Sequence, residues 1–151
     1  MSAGGTPAGA GNLLARGDLD EPHSRPQPRG APRATILVVD DEEPIRRVAR
    51  EILTYLGFEV ETTGSGEDAL ERVGRGQPPD LILLDVVLPG MGGVEAFARI
   101  HRMAPRIPII ITSGYAKSGS VEWLIGEGAS GFVAKPYGIE TLSERIRLAL
   151  G

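Results

Sequence analysis

Acidic side chains follow two of the most aliphatic runs in the chain. Asp40 and Asp41 come directly after Ile36–Val39, and Asp85 comes directly after Leu81–Leu84. Four consecutive aliphatic residues are typical of a strand that is buried on both faces. In an open parallel sheet the carboxyl ends of the strands form the ligand-binding crevice. The three carboxylates are therefore predicted to meet at one edge of a sheet.

Two further strand patterns end in residues that bind phosphate oxygens. Ile107–Ile111 leads to Thr112 and Ser113, and Gly131–Ala134 leads to Lys135. Clustered carboxylates repel one another, and a hard divalent cation such as Mg²⁺, which takes oxygen ligands, relieves that repulsion. A Lys ammonium and a Ser hydroxyl interact with phosphate oxygens, and a carboxylate beside Mg²⁺ can form an acyl phosphate. The strand ends together predict a phosphoryl site, although the acidic run after the first strand, taken alone, also fits a negatively charged first helical turn.

Strand and helix patterns alternate five times from residue 34 onwards. Pro44 marks a helix start, and Ser65 with Asp68 resembles a capping box at another. This alternation predicts an α/β fold, a doubly wound five-stranded parallel sheet with helices on both faces. The predicted strands are 36–39, 58–62, 81–84, 107–111 and 131–134. The last helix is predicted at 139–150, with the apolar positions Ile139, Leu142, Ile146, Leu148 and Leu150.

Composition excludes several other classes of protein. The 151 residues include no Cys, so disulfides and thiolate metal sites are excluded, and the only histidines are His23 and His101. No apolar run approaches the ~20 residues that a membrane helix needs, and no signal-peptide pattern opens the chain. We therefore expect a soluble, cytoplasmic protein with no membrane contact.

The N-terminal segment differs in composition and charge from the remainder. Residues 1–33 are rich in Gly, Ala, Pro and Arg, with a net charge of +1 that leaves −5 for the remainder of the formal −4. Few large apolar side chains are present, so burial cannot offset the entropy of ordering. The prediction is a disordered tail at 1–33 and one folded domain at 34–151. The acidic domain argues against direct nucleic-acid binding.

Four motifs resemble the receiver domain of bacterial two-component response regulators, which has a flavodoxin-like fold. The resemblance covers residues 34–151. The matching segments are Ile36–Asp41, Leu83–Gly93, Ile111–Ala116 and Gly128–Pro136.

The resemblance implies roles for the acidic residues. Asp85 would be the phosphoacceptor, and Asp40 and Asp41 the acidic pair that binds Mg²⁺. Asp41 and Asp85 would be direct metal ligands, with the backbone carbonyl of Val87 as a third.

The resemblance also implies roles at the fourth and fifth strand ends. Ser113 would sense the phosphoryl group, and is preferred to Thr112 because it directly precedes a small residue. Lys135 would pair with the phosphate or with Asp85, through a cis peptide bond to the following proline. Phe132 stands at the aromatic switch position, where it lacks a hydroxyl.

The implied function is that of a phosphoacceptor in a two-component or phosphorelay system. A histidine kinase or histidine phosphotransfer protein would phosphorylate Asp85, and the output would be altered binding of an unidentified protein or formation of a homodimer. Apart from self-phosphorylation and slow self-dephosphorylation, no enzymatic activity is expected. The large side chains of Val87 and Tyr115 predict that slowness, since they would cover the approach of water.

Three other readings of the sequence remain. Because Leu150 and Gly151 end the last predicted helix, a stand-alone receiver is expected, with the terminal receiver of a hybrid histidine kinase as the variant. A Mg²⁺-dependent aspartyl-phosphate phosphohydrolase is less favoured, since no second acid stands two residues after Asp85. A docking domain that works without phosphorylation is the other alternative.

Overall fold

The described part of the chain alternates strictly between strands and helices. The computed structural model describes residues 33–114 and 119–151. The strands are β1 (Thr35–Val39), β2 (Glu59–Thr63), β3 (Leu81–Asp85), β4 (Ile109–Ser113) and β5 (Gly131–Ala134). The helices are α1 (Glu43–Tyr55), α2 (Gly66–Val73), α3 (Gly93–Met103), α4 (Gly119–Gly126) and α5 (Ile139–Leu150).

All five strands pair in parallel in the order β2-β1-β3-β4-β5. The register places Asp85 opposite Thr112 and Ser113 opposite Ala134. The carboxyl ends of β3, β4 and β5 therefore lie side by side along one edge of the sheet. The predicted doubly wound α/β fold is confirmed.

Helices cover both faces of the sheet, and a separate apolar cluster lies under each layer. On one face α1 and α5 contribute Ala49, Leu53, Leu142 and Ile146. On the other face α2, α3 and α4 contribute Ala69, Phe97, Ile100 and Leu124 among others. Burying one such Leu, Ile or Phe side chain contributes roughly 1.5–3 kcal/mol, so the two layers fix the sheet that presents the strand ends.

Several element boundaries differ from the predicted ones. Helix α1 begins at Glu43, and Pro44 lies within its first turn, where no N–H donor is needed. Strand β4 begins at Ile109 and continues through Thr112 and Ser113, because those two residues pair with β5. Backbone pairing across the sheet, which a single strand pattern does not reveal, sets these ends.

Only part of the apolar pattern of α5 is buried. Leu142 and Ile146 are fully buried, whereas Ile139, Leu148 and Leu150 are exposed. Two residues four apart lie on the same side of a helix, and this pair is what α5 places on the sheet. The predicted bounds of this helix, 139–150, are confirmed.

Some predictions fall outside the described residues or are not tested within them. The disordered tail falls almost wholly in 1–32, and Tyr115 lies in the gap at 115–118. The division of the chain at residues 33 and 34 stays a prediction. Within the described ranges, no helix is long and apolar enough to cross a membrane.

The N-terminal cap of helix α2, which the sequence pattern predicts, can be tested by mutation. The Ser65 side chain accepts a hydrogen bond of 3.0 Å from the backbone N–H of Asp68. Ser65→Ala is expected to lower the free energy of unfolding by about 1 kcal/mol, because that N–H loses its acceptor. Urea unfolding measures the change, and Ser65→Thr, which keeps a hydroxyl, is expected to retain most of the stability. Equal losses in the two variants would contradict a capping role.

Candidate functional site

Three carboxylates meet where β1 and β3 end. Asp40, Asp41 and Asp85 each offer an oxygen atom, and these atoms all lie within 4.8 Å of one another. Asp40 and Asp85 are 0% and 2% exposed, whereas Asp41 is exposed to solvent. The cluster thus has two buried members and one that reaches the surface.

Lys135 neutralises part of this charge. Its Nζ lies 2.8 Å from Asp85 Oδ2 and 3.0 Å from Asp40 Oδ2, with Glu42 Oε1 further away at 3.9 Å. One ammonium therefore bridges the carboxylates of two different strands. Its side chain is only 13% exposed, so solvent screens these contacts weakly.

Burial and charge shift the protonation equilibria of the bridged groups. Burial raises the pKa of Asp85 above its ordinary value and the negative charge of Asp40 adds to this, whereas hydrogen bonds from Lys135 and from the Val87 N–H act to lower it. Burial acts to lower the pKa of Lys135, but its hydrogen bonds to Asp85 and Asp40 outweigh burial and raise it. Lys135 therefore carries its positive charge throughout the physiological range.

Each buried carboxylate is also held by the backbone that follows it. Asp40 Oδ1 accepts a hydrogen bond of 2.9 Å from the Glu42 N–H, and Asp85 Oδ1 accepts one of 3.1 Å from the Val87 N–H. An Asp side chain that binds the backbone two residues on forms an Asx turn, which favours a loop over continued strand. The same side chains that bring charge to the site thus end the regular part of their strands.

The loop between β3 and α3 is anchored at its start. The Val86 N–H donates to the Thr112 carbonyl and the Gly93 N–H donates to the Val86 carbonyl, each at 3.0 Å. A Cβ at Gly93 would overlap the carbonyl oxygens of Asp85 and Val86, so α3 can begin this close only with glycine. The backbone next to Asp85, where this loop begins, is thereby fixed.

The tip of the same loop is anchored by α2. Glu67 Oε2 accepts a hydrogen bond of 3.2 Å from the Met91 N–H and lies against Gly90, whose φ is +69°. A side chain at Gly90 would meet that carboxylate at 2.9 Å. Contacts at both ends therefore hold the loop that contains Val87.

The two hydroxyl candidates of β4 are both buried, at 1% exposure. Side chains alternate between the faces of a strand. Ser113 therefore shares the face of Ile109 and Ile111, on which Phe132 also packs, under α2, α3 and α4. Thr112 shares the opposite face, that of Ile110. Only Ser113 lies on the side of the sheet that carries Phe132.

An open cleft of about 500 Å³ gives access to the carboxylates. Val87, which is 59% exposed, and Ile45 give the cleft apolar side chains. The Lys135–Pro136 peptide bond in its wall is cis, as the resemblance implies. The lining residues are Asp41, Glu42, Ile45, Asp85, Val87, Gly114, Lys135 and Pro136.

Three residues of this region were not predicted from the sequence. Glu42 and Ile45 line the cleft, and Arg46 Nη1 donates a hydrogen bond of 2.6 Å to the carbonyl of Asp40. All three stand at the start of α1, directly after an acidic strand end, and that position is a usable signal.

The donor set fits Mg²⁺ rather than a softer metal. Three carboxylates converge, and the Val87 carbonyl stands on the adjoining loop. Hard oxygen ligands with one or two carboxylates and retained waters are what Mg²⁺ requires. Asp41, Asp85 and the Val87 carbonyl are the groups that would hold the ion, with Asp40 beside them.

Comparison with known proteins agrees with this arrangement. A family model described as the response regulator receiver domain matches residues 36–147. The chain therefore belongs to the response regulator receiver domain family. Members of this family are signalling modules of phosphorelay systems, which are phosphorylated on Asp, bind Mg²⁺ and take a histidine kinase as partner.

The matches to curated relatives cover only part of each relative. The chain is 39% identical over 118 residues to the transcriptional regulatory protein AfsQ1 of Streptomyces coelicolor, matching 77% of this chain and 51% of that protein. It is 37% identical over 120 residues to the DNA-binding response regulator MtrA of Mycolicibacterium smegmatis, matching 78% and 51%. The chain thus spans about half the length of the curated relatives it matches.

A solved structure shares the fold over nearly its whole length. The CheY-like response regulator receiver domain protein of Methanospirillum hungatei is 29% identical, with a TM-score of 0.73, over 79% of this chain and 94% of that one. NtrX of Brucella abortus, solved in complex with ADP, is 31% identical with a TM-score of 0.74, over 79% of this chain and 27% of that one.

Removing Lys135 tests the charge balance of the site. Lys135→Met is expected to lower the free energy of unfolding at pH 7 by about 3 kcal/mol, because two buried carboxylates lose the ammonium between them. The loss should shrink as the pH falls, since Asp85, whose pKa is already raised, takes up a proton and the repulsion disappears. Urea unfolding in Mg²⁺-free buffer at pH 5 and pH 7 measures both effects.

Arg47→Met is the matched control for Lys135→Met. Arg47 pairs with Glu43 at 2.9 Å, but both side chains are at least 60% exposed. Its loss should be under about 1 kcal/mol at either pH, because solvent screens the pair. A similar loss in the two variants would contradict a special role for the Lys135 bridge.

Proposed function

We propose that Asp85 is the phosphoacceptor of this receiver domain and that Mg²⁺ bound beside it is required. The observation that carries the proposal is the contact of Lys135 Nζ with Asp85 at 2.8 Å and with Asp40 at 3.0 Å, in a cleft that Asp41 also lines. An acceptor carboxylate, acidic metal ligands and a cation for the incoming phosphoryl group then share one opening. This combination of charges matches phosphoryl transfer to a carboxylate.

In the proposed reaction a carboxylate oxygen of Asp85 attacks the phosphorus of a phosphohistidine. The new O–P bond forms as the P–N bond breaks, and the departing imidazole takes up a proton to leave as neutral histidine. Lys135 stays close to Asp85 and shifts its ammonium towards the phosphoryl oxygens, where a charge-assisted hydrogen bond replaces the one to the free carboxylate. Bound Mg²⁺ would neutralise the negative charge that gathers on the same oxygens.

Ser113 and Phe132 carry the output in this proposal. The Ser113 hydroxyl binds a phosphoryl oxygen, and Phe132, on the same face of the sheet, repacks against the core cluster under α4. Phosphorylation then shifts a two-state equilibrium, and its output is a change in binding free energy rather than turnover. Phe132 lacks a hydroxyl, so its exposed state is apolar.

The phosphodonor in this proposal is a histidine kinase or a histidine phosphotransfer protein, and the output is binding of a protein partner or a homodimer. AfsQ1 is named a transcriptional regulator and MtrA a DNA-binding one, and half of each lies outside the match. The lack of direct nucleic-acid binding by residues 34–151 and a cytoplasmic location stay predictions. The terminal receiver of a hybrid kinase remains the alternative setting for the same chemistry.

Phosphorylation by a small donor tests the assignment of Asp85. Incubation with acetyl phosphate and Mg²⁺ is expected to add one phosphoryl group, detected by intact-protein mass spectrometry and removed by hydroxylamine, which cleaves acyl phosphates. Asp85→Asn and removal of Mg²⁺ with EDTA should each abolish the added mass. Asp80→Asn, which changes an exposed carboxylate just before β3, is the matched control and should remain phosphorylated. Full labelling of Asp85→Asn would rule out the assignment.

Val87 tests why the phosphoryl group is retained. Its exposed side chain stands at the mouth of the cleft, and Val87→Asn would admit and orient a water molecule there. We expect the half-life of the phosphorylated protein to fall by about fivefold, equivalent to roughly 1 kcal/mol of barrier. Val87→Ile keeps an apolar cover and should leave the half-life unchanged. An unchanged or longer half-life for Val87→Asn would contradict shielding by Val87.

A further inference from the structure

All the backbone and side-chain polar groups of Asp40 are engaged. Its N–H donates to the Thr63 carbonyl at 3.1 Å, Oδ1 accepts from the Glu42 N–H at 2.9 Å, and Oδ2 accepts from Lys135 Nζ at 3.0 Å. Its carbonyl oxygen accepts from Arg46 Nη1 at 2.6 Å. Arg46 is the one side chain in this set that the proposed chemistry does not use.

The carbonyl that Arg46 holds belongs to the peptide unit between Asp40 and Asp41. A peptide unit is planar, so fixing its oxygen also fixes the nitrogen and the Cα atom of the next residue. Asp41 is the solvent-exposed member of the acidic cluster. The position of the Asp41 Cα atom, from which its side chain extends, therefore depends on the contact that Arg46 makes with Asp40.

The guanidinium group of Arg46 is itself confined. Arg46 is partly buried on the first turns of α1, and a Cβ built at Gly64 would lie 3.2 Å from its Nη1. A charged donor at 2.6 Å from a carbonyl makes one of the stronger hydrogen bonds in proteins. Arg46 thus links α1, the end of β1 and the segment after β2 at one point.

We propose that Arg46 is a positioning residue that sets the Asp40–Asp41 peptide so that Asp41 is presented to the divalent cation. The inference rests on the proposed function, because it assigns Asp41 to the metal. The charge of Arg46 and its positioning role have opposite effects on the affinity of the site for a cation. Loss of a positive charge beside an acidic site by itself strengthens cation binding, so weaker binding after loss of Arg46 reports positioning.

Arg50 offers a matched control on the same helix. Its Nη1 donates to the Val60 carbonyl at 3.2 Å and its Nη2 lies 3.4 Å from Thr62 Oγ1, so it ties α1 to β2. Arg50→Met removes the same charge from α1 and a comparable contact to the backbone, while every contact of Asp40 remains. Arg46→Met removes the contact to Asp40.

The dissociation constant for Mg²⁺ is measured for each variant by titration of the whole chain. The backbone amide NMR shifts of Asp41 and Val87 monitor the titration. Arg46→Met is expected to raise the dissociation constant about tenfold, in line with loss of one charge-assisted hydrogen bond. Arg50→Met should change it by less than about twofold. Thermal unfolding without Mg²⁺ should show similar losses in both variants, because each loses one contact between α1 and the sheet.

Gly64→Ala is a second, independent variant. Its backbone does not require glycine, but the added methyl group would press on the Arg46 guanidinium at 3.2 Å. We expect Mg²⁺ binding about threefold weaker, in a protein that keeps all its charges. This variant also tests the positioning role of Arg46 if Arg46→Met does not fold.

The outcomes separate the inference from the function on which it rests. If the wild type binds Mg²⁺ and Arg46→Met or Gly64→Ala binds it equally well or more tightly, the positioning role is overturned and the proposed function stands. If Arg50→Met weakens binding as much as Arg46→Met, the effect is a general one of α1 and the inference is also overturned. If the wild type shows no Mg²⁺ binding, both are overturned.

Discussion

The ammonium of Lys135 between the carboxylates of Asp40 and Asp85 is the contact on which the rest of the site depends. Without it the two buried negative charges would repel each other at the ends of neighbouring strands, in a setting that solvent screens weakly. With it, one ammonium compensates the charge of both side chains. The buried pair is retained at a cost in desolvation, a pattern that suits a site used for chemistry better than one used for stability.

Glycine and backbone contacts allow this charge cluster to be built on a rigid frame. Gly93 lets α3 begin directly against the backbone of Asp85, and Glu67 holds the far end of the loop between them. The apolar clusters on both faces fix the strands whose ends supply the charges. The geometry of the site is therefore set mainly by packing and backbone hydrogen bonds, and metal or phosphate would enter a preformed cleft.

Much of the fold and of the acidic cluster could be predicted because the strands end at recognisable residue types. A buried aliphatic run that stops at Asp or Lys fixes both the element and the place of the charge, which is why Asp85 and Lys135 were identifiable. Strand pairing was not readable in the same way, so β4 ends later than predicted. Arg46 was missed because its contact is to a backbone carbonyl, for which side-chain patterns carry no signal.

The contacts of Lys135 also tie the site to the completion of folding. Lys135 lies 95 residues from Asp40 and 50 residues from Asp85 in the chain, and it reaches them only when β5 has joined the sheet beside β4. A chain still emerging from the ribosome, with β1 to β4 formed, therefore has its acidic residues but not their counterion. The charge balance of the candidate site is therefore completed only by the last strand of the sheet.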